Sequence, residues 1–229
     1  MTGGAPLRHA GLILPLLSFG TGAADAFAFT ALGGIFTANM TGNAVLAAIV
    51  TRPDYLGTLA GAATALCSFA AALFLGFRIT RRSAQVAVPG VAMLIALSMS
   101  AGFLMLVTLL WWFAPLSRGV HIGMIAASAA AMAFQTVAAK RDGVPRGATT
   151  TYLTGTLTDV IQDIVERTIS WRSIRWLPLL ALPFGAVVAV ATGMLWPDMT
   201  PLLPLATTGV SMALIAAPLN GKSWQGQRA

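Results

Sequence analysis

Apolar residues gather into six long runs, at about 10–32, 55–77, 89–113, 120–139, 176–195 and 202–219, and every arginine and lysine falls between or outside them. A helix rises about 1.5 Å per residue, so roughly 20 apolar residues cross a hydrocarbon core of about 30 Å. Six transmembrane helices are therefore predicted. Single-face periodicity is weak in most runs, as it must be where lipid and neighbouring helices are both apolar. Small residues are dense in Gly61-Ala-Ala-Thr-Ala65 and Ala126-Ala-Ser-Ala-Ala-Ala131. Such faces let helix backbones approach closely, and they permit a homodimer without requiring one.

Two shorter stretches break this pattern. Thr37-Ala-Asn39-Met-Thr41-Gly42-Asn43 is matched 113 residues later by Thr150-Thr-Tyr-Leu-Thr154-Gly155-Thr156. Gly34/Gly147, Thr37/Thr150, Thr41/Thr154 and Gly42/Gly155 are identical at that offset, which is close to half the chain. A duplication follows, with residues 1–113 as the first membrane repeat and 114–229 as the second.

Composition agrees with a membrane protein: 57% of residues are hydrophobic and 9% charged, far below the roughly 25% charge of soluble domains. A net charge of +7 would suggest nucleic acid in a soluble chain, but here the basic residues sit in short loops, where the positive-inside rule accounts for them. No nucleic-acid partner is expected. Arg8, the apolar stretch Leu12 to Leu17 and Ala26-Phe-Ala28 imitate a cleavable signal peptide. Asp25 beside the cleavage position, and the apolar sequence beyond it, argue that the segment stays as the first span. Cys67 is the only cysteine, so no disulfide forms within one chain, and it is expected to be a small core residue.

The basic residues also decide topology. If both Thr-Gly segments, about 36–50 and 149–166, enter and leave on one side, only Arg52 and Arg118 of the 14 basic residues lie outside. If both segments span, Arg78, Arg81, Arg82, Lys140, Arg141 and Arg146 lie outside instead, and the split falls to 8 against 6. The first arrangement fits the positive-inside rule and the second does not. The expected fold is thus all-α and integral to the membrane, with six transmembrane helices, two re-entrant Thr-Gly segments and an inverted 3+3 repeat. Both termini are expected in the cytoplasm, with a bacterial inner membrane as the location. Inverted repeats with interrupted helices place solute sites where half-helix ends meet near mid-membrane in secondary transporters.

Candidate chemistry lies at these breaks. Asn43 or Thr41 is expected to cap a helix over Ala44 to Val50, and Thr156 with Asp159 approximates a capping box. Irregular backbone at membrane depth is tolerated only against protein or a wet cavity. Helix N-termini carry partial positive charge and free N–H donors, which favours an anionic or strongly polar solute. Asn39, Thr41, Gly42, Asn43, Thr151, Thr154, Gly155 and Thr156 are the expected solute-binding residues, with Thr37 and Thr150 beside them.

Asp25 is the only acid deep in a span. It must face the interior, be paired or carry a proton, which makes it the leading candidate for proton coupling. The plainer alternative is a hydrogen bond to the facing Thr-Gly segment that holds the fold. Gln135 is expected to point inward and join the site. Over 157–166, Leu157, Val160, Ile161, Ile164 and Val165 share one helix face, with Asp159, Gln162, Asp163 and Glu166 on the other. Asp163 and Glu166 are expected in ion pairs with Lys140, Arg141, Arg146, Arg167 and Arg172, whereas Asp159 is expected near the cavity. His9 and His121 lie at opposite ends of the membrane, so neither a metal nor any other cofactor is expected. Hydrolase, ATPase and metalloprotease signatures are missing from the sequence, so no enzyme is expected. Trp111-Trp112 and Trp171/Trp176 fall at span ends, as an interfacial belt would.

The stretches Gly22-Ala-Ala-Asp25-Ala-Phe-Ala-Phe and Gly33-Gly34-Ile-Phe36-Thr37-Ala-Asn39-Met-Thr41-Gly42-Asn43 resemble the signature of the YoaK-like family of integral membrane proteins. Ala133-Phe-Gln135 and Thr149-Thr150-Thr151-Tyr152-Leu-Thr154-Gly155-Thr156-Leu-Thr158-Asp159 resemble it too, with Ala133 departing from an expected glycine. The resemblance implies the length and the number of spans, and assigns no activity. The expected function is a small secondary transporter or channel for a small polar or anionic solute, with coupling to protons through Asp25. The alternative is a non-transporting membrane scaffold or regulatory protein.

Overall fold

A computed structural model describes residues 10–83, 90–115, 117–141, 155, 157–158, 161–162, 165–166 and 176–217. Seven helices of at least nine residues are described: α1 Ala10–Ala31, α2 Met40–Ala48, α3 Tyr55–Ser83, α4 Val91–Phe113, α5 Arg118–Arg141, α6 Leu177–Leu195 and α7 Leu202–Ala216. A 3-10 turn, Pro197–Met199, joins the last two. Six of these elements are long and apolar enough to cross a membrane, the last of them counted with its preceding turn as Pro197–Ala216. They fall on the six apolar runs. The short α2 lies on the first Thr-Gly segment.

Local signals place the ends. Arg81 and Arg82 close α3, and Lys140 and Arg141 close α5, where cations meet the negative end of the helix dipole. Gly90 precedes α4 with φ +88°, a left-handed conformation suited to a residue without Cβ. Pro183 lies inside α6, where neighbouring helices and local adjustments make proline tolerable in a membrane span.

The core gathers on α5. In its span 83% of an 18-residue window is buried, against 17% for α6, so α5 is the axis of the bundle and α6 lies at its edge. The alanine-rich face foreseen at 126–131 is what allows this, since Ala129, Ala131 and Ala133 are fully buried among α3 and α4. Phe134 of α5 stacks on Phe103 of α4 and lies over Gly76 of α3. Gly22 of α1 and Gly185 of α6 form a second close crossing. A Cβ on either would run into the main chain of the other helix, at Leu182 and Phe19 respectively.

Contacts along the helices give their directions. Thr80 of α3 meets Arg141 of α5 at their C-terminal ends, and Gly61 approaches Ile125 near their starts, so α3 and α5 are parallel. Phe27 of α1 and Val190 of α6 share one cavity near the C-terminal ends of both helices, which makes that pair parallel as well. Thr108, late in α4, meets the carbonyl of Pro201 just before α7, whereas Met93 and Ile215 share a cluster at the other end. Hence α4 and α7 are antiparallel. Ile13 and Leu17 of α1 pack with Ile215, so α1 runs with α4 and α6, opposite to α3, α5 and α7.

One expectation is corrected. Cys67 is exposed on α3 and is not a core residue, because the buried stripe of that helix passes through Gly61, Ala65, Phe69, Ala72 and Gly76 and leaves position 67 outside it. The tryptophan pair falls at the end of α4 as expected, with Trp112 exposed and Trp111 turned inward to pack edge-on against Phe27 at 5.1 Å. Glu166 accepts a hydrogen bond from Gln162 at 2.7 Å. Arg141 serves Thr80 Oγ1 and the Phe77 carbonyl, while Arg146, Asp163, Arg167 and Arg172 of the expected ion-pair network lie outside the described residues.

Candidate functional site

After α1 the chain turns through Gly33 and Gly34, both at positive φ, and doubles back along the helix it has just left. The backbone N–H groups of Thr37 and Ala38 each donate to Asp25 Oδ1 at 2.7 Å, and the Thr37 hydroxyl approaches the same oxygen at 3.4 Å. Asp25 lies six residues before the end of α1, so Thr37 sits about 9 Å below that end. Successive N–H groups aimed at one point make an anion-binding concavity, here filled by the carboxylate of the chain itself. The Asn39 N–H also faces this carboxylate, while the hydrogen bonds of good geometry all go to Oδ1 and the residue is only partly buried.

A second clamp holds the other edge of this segment. Asn43 is fully buried, and its amide grips the backbone of Phe36 from both sides: Phe36 N–H donates to Oδ1 at 3.0 Å, and Nδ2 donates to the Phe36 carbonyl at 2.7 Å. Asn43 thus fixes an irregular residue in place of a strand partner. Ile35, next to it, fills the gap between Gly61 of α3 and Ile125 of α5. Each of these contacts answers the demand that main-chain polar groups find partners in an apolar interior.

The cap differs from expectation. Asn39 is the N-cap, accepting from Gly42 N–H at 3.0 Å, and the helix starts at Met40, ahead of the Ala44 predicted. Asn43 is inside the helix and already committed to Phe36, while Thr41 is exposed and caps nothing. A Cβ at Gly42 would press on the Asn39 amide and the Phe36 ring, so glycine there keeps cap and clamp compact. The outer face of α2 and the residues just after it are apolar, with Val45, Ile49 and Val50 exposed.

Of the expected site residues, Asp25, Asn39, Gly42 and Asn43 are brought together by the first segment. Gln135 joins a different group: its Nε2 donates to Thr208 Oγ1 on α7 at 2.9 Å. Gln135 Oε1, Ser18 Oγ and Ser100 Oγ are buried without a partner among the described residues. Gly155 lies at a helical, exposed position. Thr151, Thr154, Thr156 and Asp159 lie outside the described residues. Sequence reasoning missed Ser18, Ser100 and Thr208, whose signal was a polar side chain inside an apolar run. No group of three or more His, Cys, Asp or Glu side chains is placed to hold a metal among the described residues.

The family described as "Protein of unknown function (DUF1275)" matches residues 13–216 of this chain. A relative from Bacillus subtilis (strain 168), the "UPF0700 transmembrane protein YoaK", is 33% identical over 155 residues, covering 68% of this chain and 67% of its own. No solved structure matches.

Proposed function

The chain belongs to the DUF1275 family and is a multi-pass membrane protein, and on that footing we propose that it is a small secondary transporter or channel for a small polar or anionic solute. The observation that carries this reading is the division of labour on Asp25. One carboxylate oxygen ties an interrupted element at membrane depth, and the other takes no hydrogen bond of good geometry among the described residues. A carboxylate so placed can take up a proton or balance a cation as solute enters beside it.

The inverted-repeat architecture belongs to the same proposal. Because α1 and α3 run in opposite directions, residues 32–54 leave and re-enter on one side, and the exposed apolar side chains of α2 suit lipid contact at that depth. The opposite directions of α5 and α6 support the same reading for the second segment, entered from the other side. Packing also respects an exchange of halves: α1 with α6 corresponds to α5 with α3, and α4 with α5 corresponds to α7 with α1. With the cytoplasm on the side of Arg78, Arg81, Arg82, Lys140 and Arg141, the first segment dips in from outside and the second from the cytoplasm.

The alternative, a non-transporting scaffold or regulatory protein, draws on the same contacts, since Thr37 and Asn43 are spent on holding main chain. Proteoliposome flux separates the two. Small anions and polar metabolites would first be screened for thermal stabilisation, because a ligand of the folded form must stabilise it. Those that stabilise would then be tested for uptake with an internal pH dye. Transport is expected to fall at least about tenfold in Asp25→Asn, a barrier change of about 1.4 kcal/mol. Unchanged flux and pH dependence in an assembled Asp25→Asn protein would remove the coupling role.

A further inference from the structure

At the end of the bundle where α1, α4 and α6 finish, a cavity of about 290 Å³ opens beside the Pro197–Met199 turn. Its walls are apolar, with Phe27 on one side and Val190, Met194 and Pro197 on the other. Two lining side chains carry polar atoms that nothing satisfies: Trp111 Nε1 and Thr200 Oγ1 are both buried without a hydrogen-bond partner among the described residues. Thr200 is 4% exposed, so bulk water does not reach it freely. Thr30, a third polar lining residue, already donates its hydroxyl to the Ala26 carbonyl at 2.7 Å.

An indole N–H can only donate, and a threonine hydroxyl with no acceptor is free to do the same. Both groups therefore ask for an acceptor, and buried donors left unmade are costly. The neighbouring Trp112 shows the satisfied case, donating to the Asp198 carbonyl at 2.8 Å. The missing acceptor must come with apolar bulk, since the rest of the wall is hydrocarbon. Met194 is 79% exposed at the rim, so the cavity opens sideways, towards the bilayer. Trp111 lies two residues before the end of α4, at the level where hydrocarbon gives way to headgroups.

The geometry points to a binding site for a diacyl lipid, with an ester carbonyl oxygen accepting from Trp111 Nε1 and Thr200 Oγ1 and the start of an acyl chain lying against Phe27, Val190 and Met194. This site is independent of Asp25 and of the transport reading. Gly193 lines the cavity next to Thr200, where a Cβ would make an ordinary contact with Oγ1 at 3.5 Å and a larger side chain would fill the space.

The test compares the full-length protein in nanodiscs of diester phosphatidylethanolamine and phosphatidylglycerol with nanodiscs of the diether analogues, which lack the carbonyl. Native mass spectrometry reads the lipid retained, and thermal unfolding reads stability. The wild type is expected to hold diester lipid about fivefold or more over diether, the effect of one net hydrogen bond. Trp111→Phe and Thr200→Val should each erode that preference, Gly193→Leu should displace the lipid by filling the space, and Trp112→Phe should leave the preference intact. Equal retention of ester and ether lipid by the wild type would overturn the proposal, leaving water as the occupant. So would a preference that survives in the Trp111→Phe/Thr200→Val protein. Should those variants fail to assemble, the wild-type comparison and Gly193→Leu decide it.

Discussion

The Thr37 N–H donates to the Asp25 carboxylate across 2.7 Å, so the first residue of the Thr-Gly motif is pinned to the preceding helix and not to the helix it introduces. Everything from Ile35 to Asn43 hangs from this bond and from the grip of Asn43 on Phe36.

Asp25→Asn and Asp25→Ala should therefore behave differently. Asparagine keeps an acceptor for the Thr37 and Ala38 amides and is expected to cost about 1 kcal/mol. Alanine orphans both and is expected to cost about 3 kcal/mol or more. Unfolding of the purified variants in detergent checks the order. Equal losses would mean that the tether contributes little.

Asn43→Ala removes an acceptor and a donor from the Phe36 backbone at a fully buried position. A loss of about 2–3 kcal/mol is expected, together with faster proteolysis within 32–54 than elsewhere. Asn43→Asp should recover only part of this, since a carboxylate can accept from Phe36 N–H but repels its carbonyl.

The α1–α6 crossing has no room. Gly22→Ala or Gly185→Ala must push the helices apart and is expected to cost about 1–3 kcal/mol. Gly102→Ala and Gly209→Ala face open space and should be neutral or gain a few tenths of a kcal/mol through helix propensity. Melting temperatures of the four variants, read side by side, check the contrast.

Topology can be read with a membrane-impermeant thiol reagent on a Cys67→Ala background. Single cysteines at Thr51 and Ser117 should label from the same side, as the 3.5 Å Arg118–Asp54 ion pair at those helix ends requires. A cysteine at Ser83 should label from the other. Labelling of Thr51 and Ser83 from one side would contradict a spanning α3.

The spans were legible because their signal is bulk hydrophobicity over about 20 residues, which needs no knowledge of neighbours. Asp25 and the Thr-Gly motif were legible because a carboxylate and a glycine are conspicuous in apolar sequence. Which residue caps α2 was not, since Asn39, Thr41 and Asn43 all favour caps, and the choice among them is made by Phe36, whose backbone claims Asn43. The exposure of Cys67 and the inward turn of Trp111 were hidden for a related reason. In a helix that is apolar all round, the sequence does not mark which face meets lipid. Gln135 was rightly placed inside, but its partner Thr208 lies 73 residues away and left no local trace.

The tether between Asp25 and Thr37 also bears on the birth of the molecule. Its two ends are only 12 residues apart, whereas α6, which packs closely on α1, starts at Leu177. A nascent chain can thus shelter its most awkward charge within a dozen residues of making it, long before the ribosome has supplied the helix that will cover it.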